Sequence, residues 1–294
     1  MAQAYHGRSA HAGISPSTHV IPAATSEQQH HEHQHEQEHE HEPEHPSTHP
    51  FHNPSEILVP AVLASHSHAE ANRAHYDANA ANYDKMEMAN EVATQAARGI
   101  LGAWDWTDEG TVCMDYACGT GLVSRQLAAH CKGIIGVDIS QGMVDYYNTR
   151  VSNQGIPSSE MRAIRATLPD DPGELQGMQS SFDVVVCAQA YHHITDIGLV
   201  TQSLATFLRP GGALLVVDLV KSEHGMFMHS RGDAPEHVKY TVAHKGGLEE
   251  GEVRRCFVDA GLEEVSFEVV YEKEVEGRKL QMFLCKGVKP RKEA

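Results

Sequence analysis

The chain has 294 residues, 40% of them hydrophobic, and a formal net charge of -17 at pH 7. That length allows one or two domains with a full α/β core, and that charge argues against a surface that grips nucleic-acid phosphates. The six cysteines, at 113, 118, 131, 187, 256 and 285, form no Cys-x-x-Cys pair, so neither a zinc cluster nor a disulfide scaffold is indicated and no metal site is assigned to the body of the chain.

Residues 1–54 are poor in large apolar groups and culminate in the His/Glu run from His30 to His41. Such a segment cannot bury enough surface to offset its ordering entropy, and a disordered tail is expected. Residues 1–70 carry nine acidic residues against the single base Arg8, so the rest, with 31 acidic and 22 basic residues, is only mildly acidic. No run of eighteen apolar residues is present, and the N-terminus lacks the basic-then-apolar pattern of a secretory signal. Residues 1–26 have no acid, as in a mitochondrial presequence, but one arginine and two prolines make a poor amphipathic helix. A cytoplasmic or nuclear protein is expected.

Residues 55–110 read as an N-terminal helical cover. The first apolar group, Ile57 to Leu63, is interrupted by Pro60; Ala71 to Tyr83 has only a weak helical face; Met86 to Leu101 is better, with Met88, Val92 and Ile100 toward the core and Gly102 as its stop. Residues 111–290 then alternate. Strands are expected at Val112–Tyr116, Gly133–Asp138, Met161–Ala166, Phe182–Ala188 and Ala213–Leu219, and helices at Leu122–His130, Ser140–Val151 and Asp196–Leu208. Arg209-Pro210-Gly211-Gly212 reads as a turn. Near-continuous apolar runs such as Val184-Val185-Val186 suit strands covered on both faces, as a parallel sheet requires. A helix at Leu248–Ala260 precedes two strands, Glu264–Tyr271 and Leu280–Lys286, with no room between them for a crossover, so they form an antiparallel edge hairpin. The fold class is therefore α/β, a doubly wound, mostly parallel seven-stranded sheet of Rossmann-like type.

The motif order resembles a class I S-adenosylmethionine-dependent methyltransferase over about residues 75–288. The residues that carry the resemblance are Asp115-Tyr116-Ala117-Cys118-Gly119-Thr120-Gly121, Gly136-Val137-Asp138, Phe182-Asp183-Val184-Val185-Val186 and Leu208-Arg209-Pro210-Gly211-Gly212. Tyr83-Asp84 also resembles the tyrosine-aspartate pair of many small-molecule members, including the quinone-methylating ones. The resemblance implies S-adenosyl-L-methionine as cofactor, a small organic acceptor, and cofactor contacts from Tyr83, Asp115, Ala117, Gly119, Gly121, Asp138, Ile139, Met143, Thr167, Leu168 and Ala188. Physically, Gly119 and Gly121 let the chain turn beneath the cofactor's methionine part, while Asp115 can accept from backbone donors or an ammonium group. Asp138, about 20 residues beyond the turn and at a strand end, can take both ribose hydroxyls. Ile139 and Met143 can flank adenine, or Met143 can simply fill the core. Thr167 stands where the family commonly has an acid for the adenine amino group.

The end of the fourth strand, Ala188-Gln189-Ala190-Tyr191-His192-His193, faces the ligand side of such a sheet. His192 or His193 suits removal of a proton from a hydroxyl acceptor, the competing reading being core stacking for one and helix capping for the other. Met226, Phe227, Met228 and His229 read equally well as a lid or as a plug at the core edge. Two other functions share parts of this pattern. A nicotinamide-dependent oxidoreductase predicts a glycine at position 124, where this chain has serine; a non-catalytic metal-binding protein would use the His/Glu tail.

Overall fold

A computed structural model of the chain describes residues 67–222, 236–275 and 278–291. The His/Glu tail, the broken first helix around Pro60 and the Met226–His229 segment lie outside the described residues.

Two helices, α1 (His68–Tyr83) and α2 (Glu87–Gly102), precede the sheet. Ser67 caps α1 by accepting from the Glu70 N–H, and α1 then buries a polar face of Asn72, His75 and Asn79 between Ala71 and Ala80. That face explains the weak apolar signal of the segment. α2 instead buries Ala93, Ala96, Ala97 and Ile100, small residues that let the helix lie close on the sheet. Met88 and Val92, expected to point to the core, are only partly buried and line a cavity.

The body alternates β1 (Val112–Tyr116), α3 (Ser124–Leu127), β2 (Gly133–Asp138), α4 (Gln141–Asn153), β3 (Met161–Arg165), β4 (Phe182–Ala188), α5 (Ile197–Phe207), β5 (Leu208–Leu219), α6 (Val238–Thr241), α7 (Glu250–Asp259), β6 (Glu263–Val275) and β7 (Arg278–Val288). These strands form one seven-stranded sheet in the order β3-β2-β1-β4-β5-β7-β6. The first five are parallel, while β7 runs antiparallel between β5 and the edge strand β6, as the missing crossover required.

Alternation along the parallel strands builds two cores. Cys113, Val184, Val186, Leu215 and Val217 pack with Ala97, Leu127, Val144 and Tyr147 on one face. Met114, Val185, Cys187, Leu214 and Val216 pack with Val200, Leu204, Val253 and Phe257 on the other. Each strand is thus apolar at successive positions, which is why these segments read as unbroken runs.

Two expectations are corrected. Residues 122–130 are not one helix: the short α3 passes into a 3-10 turn over Ala128–His130. Residues 209–212 are not a turn before β5 but part of that strand, in a bulge where the register with β4 jumps from Phe182–Leu208 to Val184–Ala213. Gly211 and Gly212 exchange 2.8 Å backbone bonds with Lys289, so their backbone is recruited by the chain beyond β7. Nearby, Asp183 accepts from the Val112 N–H at 2.8 Å and pairs with Arg209 at 2.8 Å. The Phe182-Asp183 and Leu208–Gly212 motifs therefore pin the strand starts, at the opposite end of the sheet from the site.

Candidate active site

Two adjoining cavities open at the carboxyl ends of β1, β2 and β4, of about 270 Å³ and about 580 Å³. Ligands of open α/β sheets sit there because the strand order reverses and the chain departs to opposite faces. Tyr83, Ala117, Gly119, Ala188 and His193 line both cavities. Asp138, Ile139, Met143, Thr167 and Leu168 line the smaller one, and Asp115 and His192 the larger. Of the cofactor and catalytic residues expected from the sequence, Gly121 alone lines neither cavity. It faces the α4 residue Tyr147, whose ring would lie 2.7 Å from a Cβ added at 121, so its smallness serves packing beneath the turn.

The turn itself is an open cradle. Ala117, Gly119 and Gly121 have positive φ values of 58°, 53° and 85°, and a Cβ added at Gly119 would meet no protein atom within 4 Å. Asp138 ties the turn to the next strand: Oδ2 accepts from the Gly119 N–H at 2.8 Å and Oδ1 from the Ser140 N–H at 2.9 Å. One bond per oxygen leaves each with acceptor capacity, the arrangement that a vicinal diol fits. Ser140 caps α4 through the Met143 N–H at 3.1 Å and also donates to Asp77 at 2.7 Å.

Asp115 is buried and accepts from the Ser124 hydroxyl at 2.5 Å. Burial raises its pKa from 3.8 to about 7, and burial likewise raises Asp138 to about 6. A cation in the larger cavity would favour the ionised form of Asp115. Stability from both groups in the ligand-free protein is fully present below about pH 4 and is lost as pH rises through 6 and 7, because their folded pKa values are raised. The ligand-free protein is accordingly expected to gain melting temperature on acidification from pH 8 to pH 5, less steeply in Asp138→Asn, which cannot titrate there. Parallel slopes in a thermal melt series would contradict this.

His192 is buried, and its Nδ1 donates to Asp218 at 2.7 Å while its backbone N–H reaches the same carboxylate at 3.2 Å. His193 Nδ1 donates to the Thr241 carbonyl at 2.6 Å, so a neutral ring holds its lone pair at Nε2, 3.3 Å from the Tyr76 hydroxyl. Neither histidine caps α5; Asp196 does, accepting from the Leu199 N–H at 2.8 Å.

Sequence reasoning placed Tyr83, at the end of α1, beside the ligand but missed Tyr76 and His75 earlier in that helix. Tyr76 lines both cavities, and His75 stacks on His237 with ring centroids 4.2 Å apart, where burial and then His237 lower the His75 pKa to about 4. The available signal was polar and aromatic residues at helical spacing, Asn72, Tyr76, Asn79 and Tyr83, in an alanine-rich segment. Asp170, in the smaller cavity's lining beside Thr167, was also missed, although an acidic pair after Leu168-Pro169 is visible in the sequence. Asp218, an acid ending an apolar strand run, was a third.

Fold and site together define a doubly wound domain with an open turn and a carboxylate at its strand ends. Comparison with known proteins sharpens this: residues 114–216 match a family described as a methyltransferase domain. The matched stretch resembles methyltransferase domains, and the relatives and solved structures similar to this chain carry that description. It is 40% identical over 158 residues to an uncharacterised methyltransferase of Schizosaccharomyces pombe, covering 53% of this chain and 55% of that one. It is 29% identical over 111 residues to a ubiquinone biosynthesis O-methyltransferase of Rhizobium etli, 38% of this chain and 42% of the relative. The chain thus spans about half the length of these relatives. Among solved structures, the fold matches a complex between the Haloferax volcanii Trm112 methyltransferase activator and the putative methyltransferase, with TM-score 0.56 and 20% identity over 74% of this chain and 98% of that one. It also matches phosphoethanolamine N-methyltransferase 2 of Haemonchus contortus in complex with S-adenosylhomocysteine, with TM-score 0.52 and 16% identity over 67% of this chain and 53% of the other.

Proposed function

We propose that this chain transfers a methyl group from S-adenosyl-L-methionine to a small organic acceptor. The observation that carries the reading is the cradle: an open Gly119 at the strand end beside a carboxylate, Asp138, whose two oxygens are each held by one backbone N–H. When bound, the cofactor supplies a methyl group already activated on a sulfonium. Asp138 takes the ribose hydroxyls, Asp115 the ammonium group, and Ile139, Met143 and Leu168 enclose the adenine with Thr167 at its polar edge. Tyr83, Ala117 and Ala188, at the junction of the cavities, border the methyl group. The acceptor occupies the larger cavity, where His192 or His193 removes a proton if the nucleophile is a hydroxyl. Alignment of acceptor and methyl group supplies most of the rate.

A nicotinamide cofactor fits less well. Ser124, at the position of the expected third glycine, is fully buried and its hydroxyl is engaged by Asp115, so the backbone there is closed to a pyrophosphate. Six unpaired cysteines favour a reducing compartment such as the cytosol or nucleus, and among the described residues no helix is long and apolar enough to cross a membrane.

The test is incubation of the full chain with methyl-labelled S-adenosylmethionine and a metabolite extract, followed by chromatography. A labelled small product that requires active protein is expected; no label transfer together with no cofactor binding by titration calorimetry would sink the reading. Affinity for S-adenosylhomocysteine is expected to fall as pH is lowered through about 6, because protonated Asp138 is a poorer acceptor for the ribose. A flat affinity from pH 8 to pH 5 would contradict that role.

A further inference from the structure

Three elements around the site meet at a side-chain cluster that none of these roles uses. Asp84 is the C-cap of α1 and follows Tyr83. Its carboxylate is divided between two partners: Oδ1 accepts from the hydroxyl of Thr120, at the centre of the glycine turn, and Oδ2 pairs with Nη1 of Arg150 in the last turn of α4. Arg150 in turn lies over the Tyr146 ring, 5.7 Å from its centroid. Thr120 is fully buried, and the Asp84 and Arg150 side chains are 18% and 23% exposed, so the contacts are less screened than a surface pair.

The turn has need of such a tie. Gly119 and Gly121 have no side chains to anchor, and both adopt the left-handed backbone that the cradle requires. The Asp138 bond fixes the end of the turn nearer the smaller cavity, and the Gly121 N–H bond to the Cys118 carbonyl, 2.9 Å, closes it internally. Thr120 offers the side-chain hold between those points, and the residue it reaches belongs to the helical cover rather than to the sheet. The turn and α1 are therefore joined at Asp84.

We propose that Asp84 is a positioning residue for the amino-acid arm of S-adenosylmethionine, a role that rests on the methyltransferase reading. Through Thr120 it sets the height of the turn beneath that arm, and through Arg150 it fixes the end of α1 to α4, so that helical cover and cofactor turn hold one geometry. A ligand that reaches the turn depends on this cluster. A ligand that ends at the ribose depends on Asp138 and not on Asp84.

The contrast is read by titration calorimetry of the full chain with S-adenosylhomocysteine and with adenosine. Thr120→Val removes the hydroxyl, and Asp84→Asn weakens the pair with Arg150. Each is expected to raise the Kd for S-adenosylhomocysteine about tenfold, the loss typical of a hydrogen bond to a charged group, and to leave that for adenosine within about twofold. Thr120→Ser restores the tight value, because it returns the hydroxyl without the methyl. If Asp84→Asn does not fold, the valine and serine variants carry the same comparison. Equal losses for both ligands, or no loss for either, overturn the proposal while leaving the methyltransferase reading intact. A wild-type chain that binds neither ligand overturns both.

Discussion

Asp138→Ala is expected to weaken S-adenosylhomocysteine binding by two to three orders of magnitude. The substitution removes both acceptors offered to the ribose, and each charge-assisted bond contributes roughly 1.5–3 kcal/mol. It also leaves the Gly119 and Ser140 N–H groups, now 2.8 and 2.9 Å from carboxylate oxygens, without those partners at the base of the cradle. The turn is then free to drift, so part of the loss comes from a cradle no longer held in place. Asp138→Asn should fall between alanine and wild type: its amide oxygen serves one N–H, but its NH2 confronts the other, donor against donor. Calorimetry gives the affinities, and circular dichroism checks that the fold survives. An alanine variant that binds within about threefold of wild type would remove Asp138 from the cofactor site.

Asp138 was legible in the sequence because two local signals agree on it, a strand end and a fixed interval after the glycine turn. The parallel sheet was legible for a similar reason, since its strands are buried on both faces and appear as unbroken apolar runs. The edge hairpin followed from chain length alone. What could not be read was long-range. Asp84 and Thr120 are 36 residues apart, and His75 and His237 lie 162 apart; spacing in one chain carries no information about such meetings. α1 was underestimated because its inward face is polar, so the apolar periodicity that marks most helices is weak there. The Arg209–Gly212 segment misled for the opposite reason: Pro and Gly mark a turn locally, but pairing with Lys289 draws the same residues into a bulged strand.

The two glycines of the turn are expected to fail in different ways when each is replaced by alanine. At Gly121 the new Cβ would lie 2.7 and 2.8 Å from ring carbons of Tyr147, which is 1% exposed and cannot swing into solvent, and the backbone is held at φ 85°. Overpacking of this kind costs about 1–3 kcal/mol, and a non-glycine residue in that conformation about 1–3 kcal/mol more. Gly121→Ala should therefore lower the melting temperature by roughly 10 °C, taking about 2–4 °C per kcal/mol for a domain of this size. Cofactor binding is lost with it, because the ring and the turn move apart. At Gly119 no protein atom lies within 4 Å of the added Cβ and φ is 53°, so Gly119→Ala carries the backbone cost alone. Its melting temperature falls by only a few degrees, yet its methyl group enters the space that the cofactor needs, and affinity drops by more than tenfold. Trimming the ring separates the two causes. Tyr147→Leu placed on Gly121→Ala should recover much of the lost stability by making room for the Cβ, whereas on Gly119→Ala it recovers no binding. Calorimetric melts of the four proteins decide this, and equal melting temperatures for the two alanine variants would refute the division of labour within the turn.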